Sequence, residues 1–234
     1  MFYILKYTLK SFLSYLSALT VSLIITPYAW AWEVLHSYES LELDPQKHLV
    51  LWDLDHTLIE PSTYEGSEPW FQYLLHTARN VLPSEDIVAL YCRSQEHIIL
   101  RLTDPVLAEK WLQWNGAVPM IGLTSRSYSL ASLTHGHLNR LGIPFQHSFF
   151  EASLFPSVAS QGILFTSGGV KRDFVKQLME QNPEYRQRTV IFIDDSSHHL
   201  DLVEKYLNQE GIACKIYLYS ASREKYETAK LVPF

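Results

Sequence analysis

Residues 48–57 read HLVLWDLDHT, an apolar run followed at once by two carboxylates one residue apart. Leu49-Val50-Leu51-Trp52 suits a buried strand. In an extended chain residues i and i+2 project to the same side, so Asp53 and Asp55 at the strand end are expected to aim at one spot. Two like charges about 4 Å apart, in an effective dielectric of about 20, repel by roughly 4 kcal/mol. A metal cation, a shared proton or solvent has to offset that repulsion. Taken alone, D-x-D is as well explained by a solvated turn, and the rest of the chain decides between the two.

Outward from this stretch, short apolar runs alternate with helical stretches. VPMIGL (118–123), TVIFI (189–193) and ACKIYLY (213–219) join HLVLW (48–52) as strands rich in β-branched and aromatic residues. Helices are expected over 127–141, stopped by Gly142; over 170–180, after Gly168-Gly169; and over 197–208, before Gly211. Such alternation predicts an α/β fold: a Rossmann-like parallel sheet with helices on both faces. The 60 or so residues after the first strand (about 60–117) are too long for a simple crossover and read as a small helical cap. One helix is expected over 69–81. A second is capped by Ser84, with Ile87, Val88, Tyr91, Ile98, Ile99 and Leu102 as its stripe, and a third runs from Asp104-Pro105 to Gly116. The aromatics here (Trp70, Phe71, Tyr73, Trp111, Trp114) are as well explained by core packing as by a cofactor box. Residues 145–169 read as an extended arm or hairpin.

Of the chain's 234 residues 47% are hydrophobic, enough for one domain of about 32–234 with its own core. No charge occurs between Lys10 and Glu33, and the apolar stretch ends in Ala29-Trp30-Ala31. That order predicts a signal peptide over 1–31 and an exported, periplasmic or secreted protein with no stable membrane span after cleavage. The alternative is an uncleaved membrane anchor. Cleavage would remove Lys6 and Lys10 and no acid, taking the formal charge from −6 to −8. Bulk charge and the lack of basic runs exclude a nucleic-acid partner. Cys92 and Cys214 are compatible with a disulfide but do not establish one. The pairs His135/His137 and His198/His199 are expected in loops or on the surface.

Ligands of open α/β sheets bind beyond the carboxyl ends of the strands. Collecting the polar residues there gives Asp53 and Asp55; Thr124-Ser125-Arg126; Gly168-Gly169-Val170-Lys171 at a helix start; and Asp194-Asp195-Ser196. These are parts for phosphoryl transfer: acids for a divalent cation, hydroxyl and amide donors for phosphate oxygens, and a lysine for developing charge. Each is weak alone; together, in this order, they are specific.

In these four motifs, over about 48–219, the chain resembles the haloacid dehalogenase (HAD)-like superfamily. DLDHT matches its D-x-D-x-T signature, GLTSR its second motif, GGVKR its lysine motif and FIDDS its closing acidic motif. The signal peptide, the GILFTSGG arm and the FIDDS ending make it similar to an uncharacterised group of exported bacterial members. The resemblance implies a Mg²⁺-dependent phosphatase acting on a small-molecule phosphomonoester. Asp53 is then the nucleophile and Asp55 the general acid and base. Mg²⁺ is held by Asp53, the Asp55 backbone carbonyl and one of Asp194 and Asp195, with Asp195 the first choice. Thr124, Ser125 and Lys171 bind the phosphoryl group, and Thr57 braces the loop. The chain departs from the pattern where Arg172, rather than Gly or Pro, follows the lysine. The alternative function is a non-catalytic binding module or secreted effector on the same fold.

An EF-hand is excluded because Thr57 and Leu58 stand where a calcium loop needs a ligand and then Gly. No G-x-S-x-G elbow supports serine-hydrolase chemistry.

Overall fold

The computed structural model describes residues 32–64 and 66–221; the expected signal peptide over 1–31 lies outside them. The strands are β1 (Glu33–Leu35), β2 (His48–Trp52), β3 (Ile59–Pro61), β4 (Leu100–Leu102), β5 (Met120–Thr124), β6 (Ala159–Ser160), β7 (Ile163–Phe165), β8 (Thr189–Asp194) and β9 (Cys214–Tyr219). The α-helices are α1 (Glu68–Ala78), α2 (Ser84–Ser94), α3 (Leu107–Trp114), α4 (Ala131–Arg140), α5 (Lys171–Gln181) and α6 (Ser197–Gln209). Seven strands form one sheet in the order β1-β9-β8-β2-β5-β7-β6, parallel throughout except for the β6–β7 hairpin.

The continuous apolar strands follow from burial on both faces, since alternate side chains serve different cores. Val50 and Trp52 point to one layer with Leu107, Trp111 and Trp114 of α3 and Leu138 of α4. Leu49 and Leu51 point to the other, with Val175 and Leu178 of α5 and Leu200 and Val203 of α6. Trp52 is fully buried, its ring 5.7 Å from Trp111 and 5.9 Å from Trp114. The last helical turns of α4 and α6 run out at Gly142 and Gly211, whose φ of 77° and 66° suit a left-handed stop.

Several expectations change. The α2 stripe was drawn too long: the helix ends at Ser94, and Leu100 to Leu102 form β4, paired antiparallel with β3. Pro83, not Ser84, occupies its cap, and Ser84 is the first helical residue. The third insert helix, α3, belongs to the sheet's own core, as do Ile59 of β3 and Leu100 of β4, so of the described insert only α1 and α2 lie outside that core as a cap. The arm or hairpin expected over 145–169 is there as the β6–β7 hairpin, and it joins the sheet because Ile163–Phe165 bond to β5 in parallel register. His135 and His137 are buried rather than superficial: α4 packs beneath the β6–β7 hairpin, where the His135 ring lies 3.1 Å from Ser160 Oγ. Burial holds both imidazoles below their ordinary pKa.

Both cysteines are free thiols, Cys92 on the cap helix α2 and Cys214 opening β9. Among the described residues no helix is long and apolar enough to cross a membrane. Trp52→Ala should cost about 3–5 kcal/mol, because it empties the contact between β2 and α3. Denaturant melts of the variant at neutral pH check this, with a lowered midpoint expected.

Candidate metal and phosphate site

The strand order reverses at β2: the chain goes from β2 to β5 and β7 on one side, then returns to β8 and β9 on the other. Such a switch point leaves a crevice at the carboxyl ends of β2 and β8. Asp53 follows β2, still in register, with its N–H donating to Ile193 O at 3.0 Å. Asp194 ends β8 and Asp195 follows. These three acids each bring an oxygen within 4.8 Å of the other two. Three carboxylates this close can bind a metal ion, and their all-oxygen donors suit a hard divalent cation.

Lys171 lies between two of them, 1% exposed. Its Nζ donates to Asp53 Oδ1 and, at 2.7 Å, to Asp194 Oδ2. The lysine is the first residue of α5, and the preceding loop is tied to the end of β5. Thr166 N donates to Thr124 O at 2.8 Å, Ser167 N to Arg126 O at 3.1 Å and Gly168 N to Ser125 O at 3.0 Å. Ser167 and Gly168 both take positive φ, 51° and 80°, which turns the chain into the helix. The residue after the lysine matters little to this turn, since Arg172 faces outward and pairs with Asp173.

Burial raises the Asp53 carboxyl above its ordinary pKa; Lys171 opposes the rise and Asp194 adds to it. On Asp194 burial acts in the same direction, but Lys171 and His199 outweigh it and hold the group below its ordinary value. Burial would lower the Lys171 pKa, yet Asp194 and Asp53 reverse that and keep it charged. Asp194 Oδ1 also accepts from Ser196 N at 2.8 Å, and His199 Nδ1 stands 3.2 Å from Oδ2. The fully buried Asp194 thus sits at the entry to α6.

Asp53 and Asp55 do not converge on one spot. His56 adopts φ 61° and the chain curls back, with Leu58 N and Ile59 N both donating to Leu54 O. Asp53 faces β8, whereas Asp55 faces β5. There Arg126 grips Asp55 with Nη2 at 2.7 Å from Oδ1 and Nε at 2.8 Å from Oδ2. Its Nη1 reaches Thr134 of α4 at 3.2 Å. Burial raises the Asp55 pKa, but Arg126 overcomes it and the carboxyl lies below its ordinary value. The repulsion expected of D-x-D is therefore relieved by two cations, Lys171 for the first acid and Arg126 for the second.

The side chains thus gathered are Asp53, Lys171, Asp194 and Asp195, with Asp55 set beside them on its own partner. Thr57 braces the site directly, its Oγ1 donating to Asp53 Oδ2 at 2.8 Å. Thr124 is wholly buried at the end of β5, its Oγ1 accepting from Arg126 N at 3.2 Å. Ser125 is exposed and contributes its carbonyl to the lysine loop. Two side chains of the site had no role in the sequence reading, Arg126 although it was collected with Thr124 and Ser125, and His199. Arg126 stood in GLTSR, and the need to neutralise a second acid was its signal; His199, expected as a surface residue, contacts Asp194 from the first turn of α6.

A family model described as a protein of unknown function (DUF2608) matches residues 33–232. The chain belongs to this family. The matched span contains every site residue described above, so the constellation lies within the family's own domain. No curated protein matches the chain.

Two outcomes follow from the charge pattern. Lys171→Met leaves Asp53 and Asp194 buried together without their cation and should cost about 3–5 kcal/mol. A saturating divalent cation should restore part of that loss, read as a larger rise in thermal midpoint for the variant than for wild type. For Asp55, whose pKa is depressed on folding, the stabilisation is fully present above its unfolded pKa of about 4 and is lost as pH falls through the lower folded value. Arg126→Met should therefore flatten the acid limb below about pH 4, measured as thermal midpoint against pH.

Proposed function

We propose that this chain is a Mg²⁺-dependent phosphohydrolase of the HAD-like type, acting on a small-molecule phosphomonoester. The observation that carries this reading is the meeting of Asp53, Asp194 and Asp195 around Lys171 at the switch point of the sheet. The donors fit Mg²⁺: all are carboxylate oxygens, with two of the three buried. Asp53, Asp194 and Asp195 would hold the cation, which when bound would neutralise phosphoryl charge as a Lewis acid.

Asp53 attacks phosphorus through a carboxylate oxygen, the bond from phosphorus to the leaving oxygen breaks, and Asp55 gives that oxygen its proton. The resulting aspartyl-phosphate is hydrolysed when Asp55, now a carboxylate, takes a proton from water attacking the phosphorus; phosphate leaves and Asp53 is restored. Thr57 fixes the Asp53 carboxylate, Lys171 offsets phosphoryl charge, and Thr124 with the adjoining loop amides borders the phosphate. The cap suits a role in choosing the organic part of the substrate. It contains a cavity of about 370 Å³ whose walls include Trp70, His97, Ile98 and Ile99. Export of the protein remains part of the proposal on the pattern of residues 1–31 alone.

A second reading, a metal-dependent binding module without turnover, is favoured by one feature: Arg126 holds Asp55 as a carboxylate, which suits a base better than an acid. Phosphate release from an aryl phosphate, with and without Mg²⁺, separates the two. Metal-dependent release in wild type and a loss of at least about 10³-fold in Asp53→Asn are expected. A full substrate panel without metal-dependent release would instead support the binding module.

A further inference from the structure

Thr57, which bonds Asp53 from above, is itself held by two hydroxyls from distant parts of the chain. Tyr38 Oη donates to the Thr57 carbonyl at 2.7 Å, and Thr103 Oγ1 donates to the same oxygen. A carbonyl oxygen has two lone pairs, and both are thereby taken. Thr103 is the residue after β4, and its own N–H donates to Leu58 O at 3.1 Å. Tyr38 comes from the other direction, in the segment between β1 and β2.

Nothing about Tyr38 is left loose. It is fully buried, its ring stacked on Tyr219 at 4.8 Å and 2° and set edge-on to Trp52 at 5.6 Å. Its N–H donates to Asp104 Oδ2 at 2.8 Å, and Ser37 Oγ donates to the same oxygen at 2.7 Å. Burial raises the phenol pKa well above its ordinary value, so the hydroxyl stays a donor throughout the working pH range. A buried tyrosine could satisfy its hydroxyl on many acceptors; here the acceptor is the backbone of a residue whose side chain orients Asp53.

We propose that Tyr38 is a positioning residue for the reaction at Asp53, acting through the Thr57 carbonyl, so that the segment ahead of β2 forms part of the catalytic machinery. The inference rests on the phosphohydrolase reading. Its physical basis is that an attacking carboxylate must be held in near-attack geometry, and a small misplacement of the group that orients it lowers turnover more than binding. Thr57 Oγ1 can hold the Asp53 carboxylate only as firmly as the Thr57 backbone is itself held.

Tyr38→Phe removes the hydroxyl and keeps the ring stack and the backbone bond to Asp104. With Mg²⁺ and an aryl phosphate, kcat should fall about tenfold, equivalent to about 1.4 kcal/mol, while KM stays within about twofold. In a Thr57→Val background, where no hydroxyl reaches Asp53, adding Tyr38→Phe should lower kcat no further. Unchanged kcat in Tyr38→Phe, a KM shift as large as the kcat loss, or effects of the two substitutions that simply multiply would overturn the assignment. Should Tyr38→Phe fold poorly, Thr103→Val reads the same carbonyl from its other side, with the same split expected.

Capture of beryllium fluoride, a phosphoryl analogue, in the presence of Mg²⁺ and followed by ¹⁹F NMR, tells this failure from a wider one. Wild type with neither turnover nor capture sinks the phosphohydrolase reading and this inference with it. Wild-type turnover and capture that Tyr38→Phe leaves untouched sink this inference alone.

Discussion

Burying Asp53 and Asp194 at the ends of neighbouring strands is tolerable only because Lys171 is buried with them. Two desolvated carboxylates side by side are unstable without a cation, and here the chain supplies one permanently. Much of the local architecture serves to deliver that ammonium group. The lysine must start a helix, the helix must begin beneath β2 and β8, and the preceding loop must turn through two positive-φ residues while zipped to the end of β5. The sheet fixes the acids and the loop fixes the base. With Asp195 beside them the site gathers three acids around one lysine, and their oxygen atoms could hold a divalent cation.

The same economy governs the second acid. Asp55 could have crowded Asp53, but the reversal at His56 sends it toward β5, where Arg126 meets it with two parallel hydrogen bonds. One short motif therefore serves two neighbouring strands through two cations. Separating the carboxylates gives them different electrostatic surroundings: Asp53 is raised by burial beside Asp194, while Asp55 is lowered by Arg126.

Behind Asp53 lies a layer of buried hydroxyls. Tyr38, Thr57 and Thr103 come from three separate segments and converge on one carbonyl and one carboxylate. Their partners Asp104 and Tyr219 tie the same layer to the start of α3 and the end of β9. The insertion after β2 therefore does two jobs. Its outer part forms the cap, and its return strand brings Thr103 against the motif loop.

The sequence by itself determined the α/β class, the four main parallel strands and their ends, because apolar runs of that length, separated by helical periods with glycine stops, have few other ways to bury themselves. It also singled out Asp53, Lys171, Asp194 and Asp195, since acids and a lysine recurring only at strand ends and a helix start are improbable by accident. Tertiary structure alone decided which charge meets which. That the strand order reverses at β2, that Asp55 turns to Arg126, that His199 reaches Asp194 and that Tyr38 backs Thr57 all depend on contacts between residues 5 to 141 positions apart. No local periodicity encodes such pairings; they follow from how the strands are ordered and how the loops between them turn.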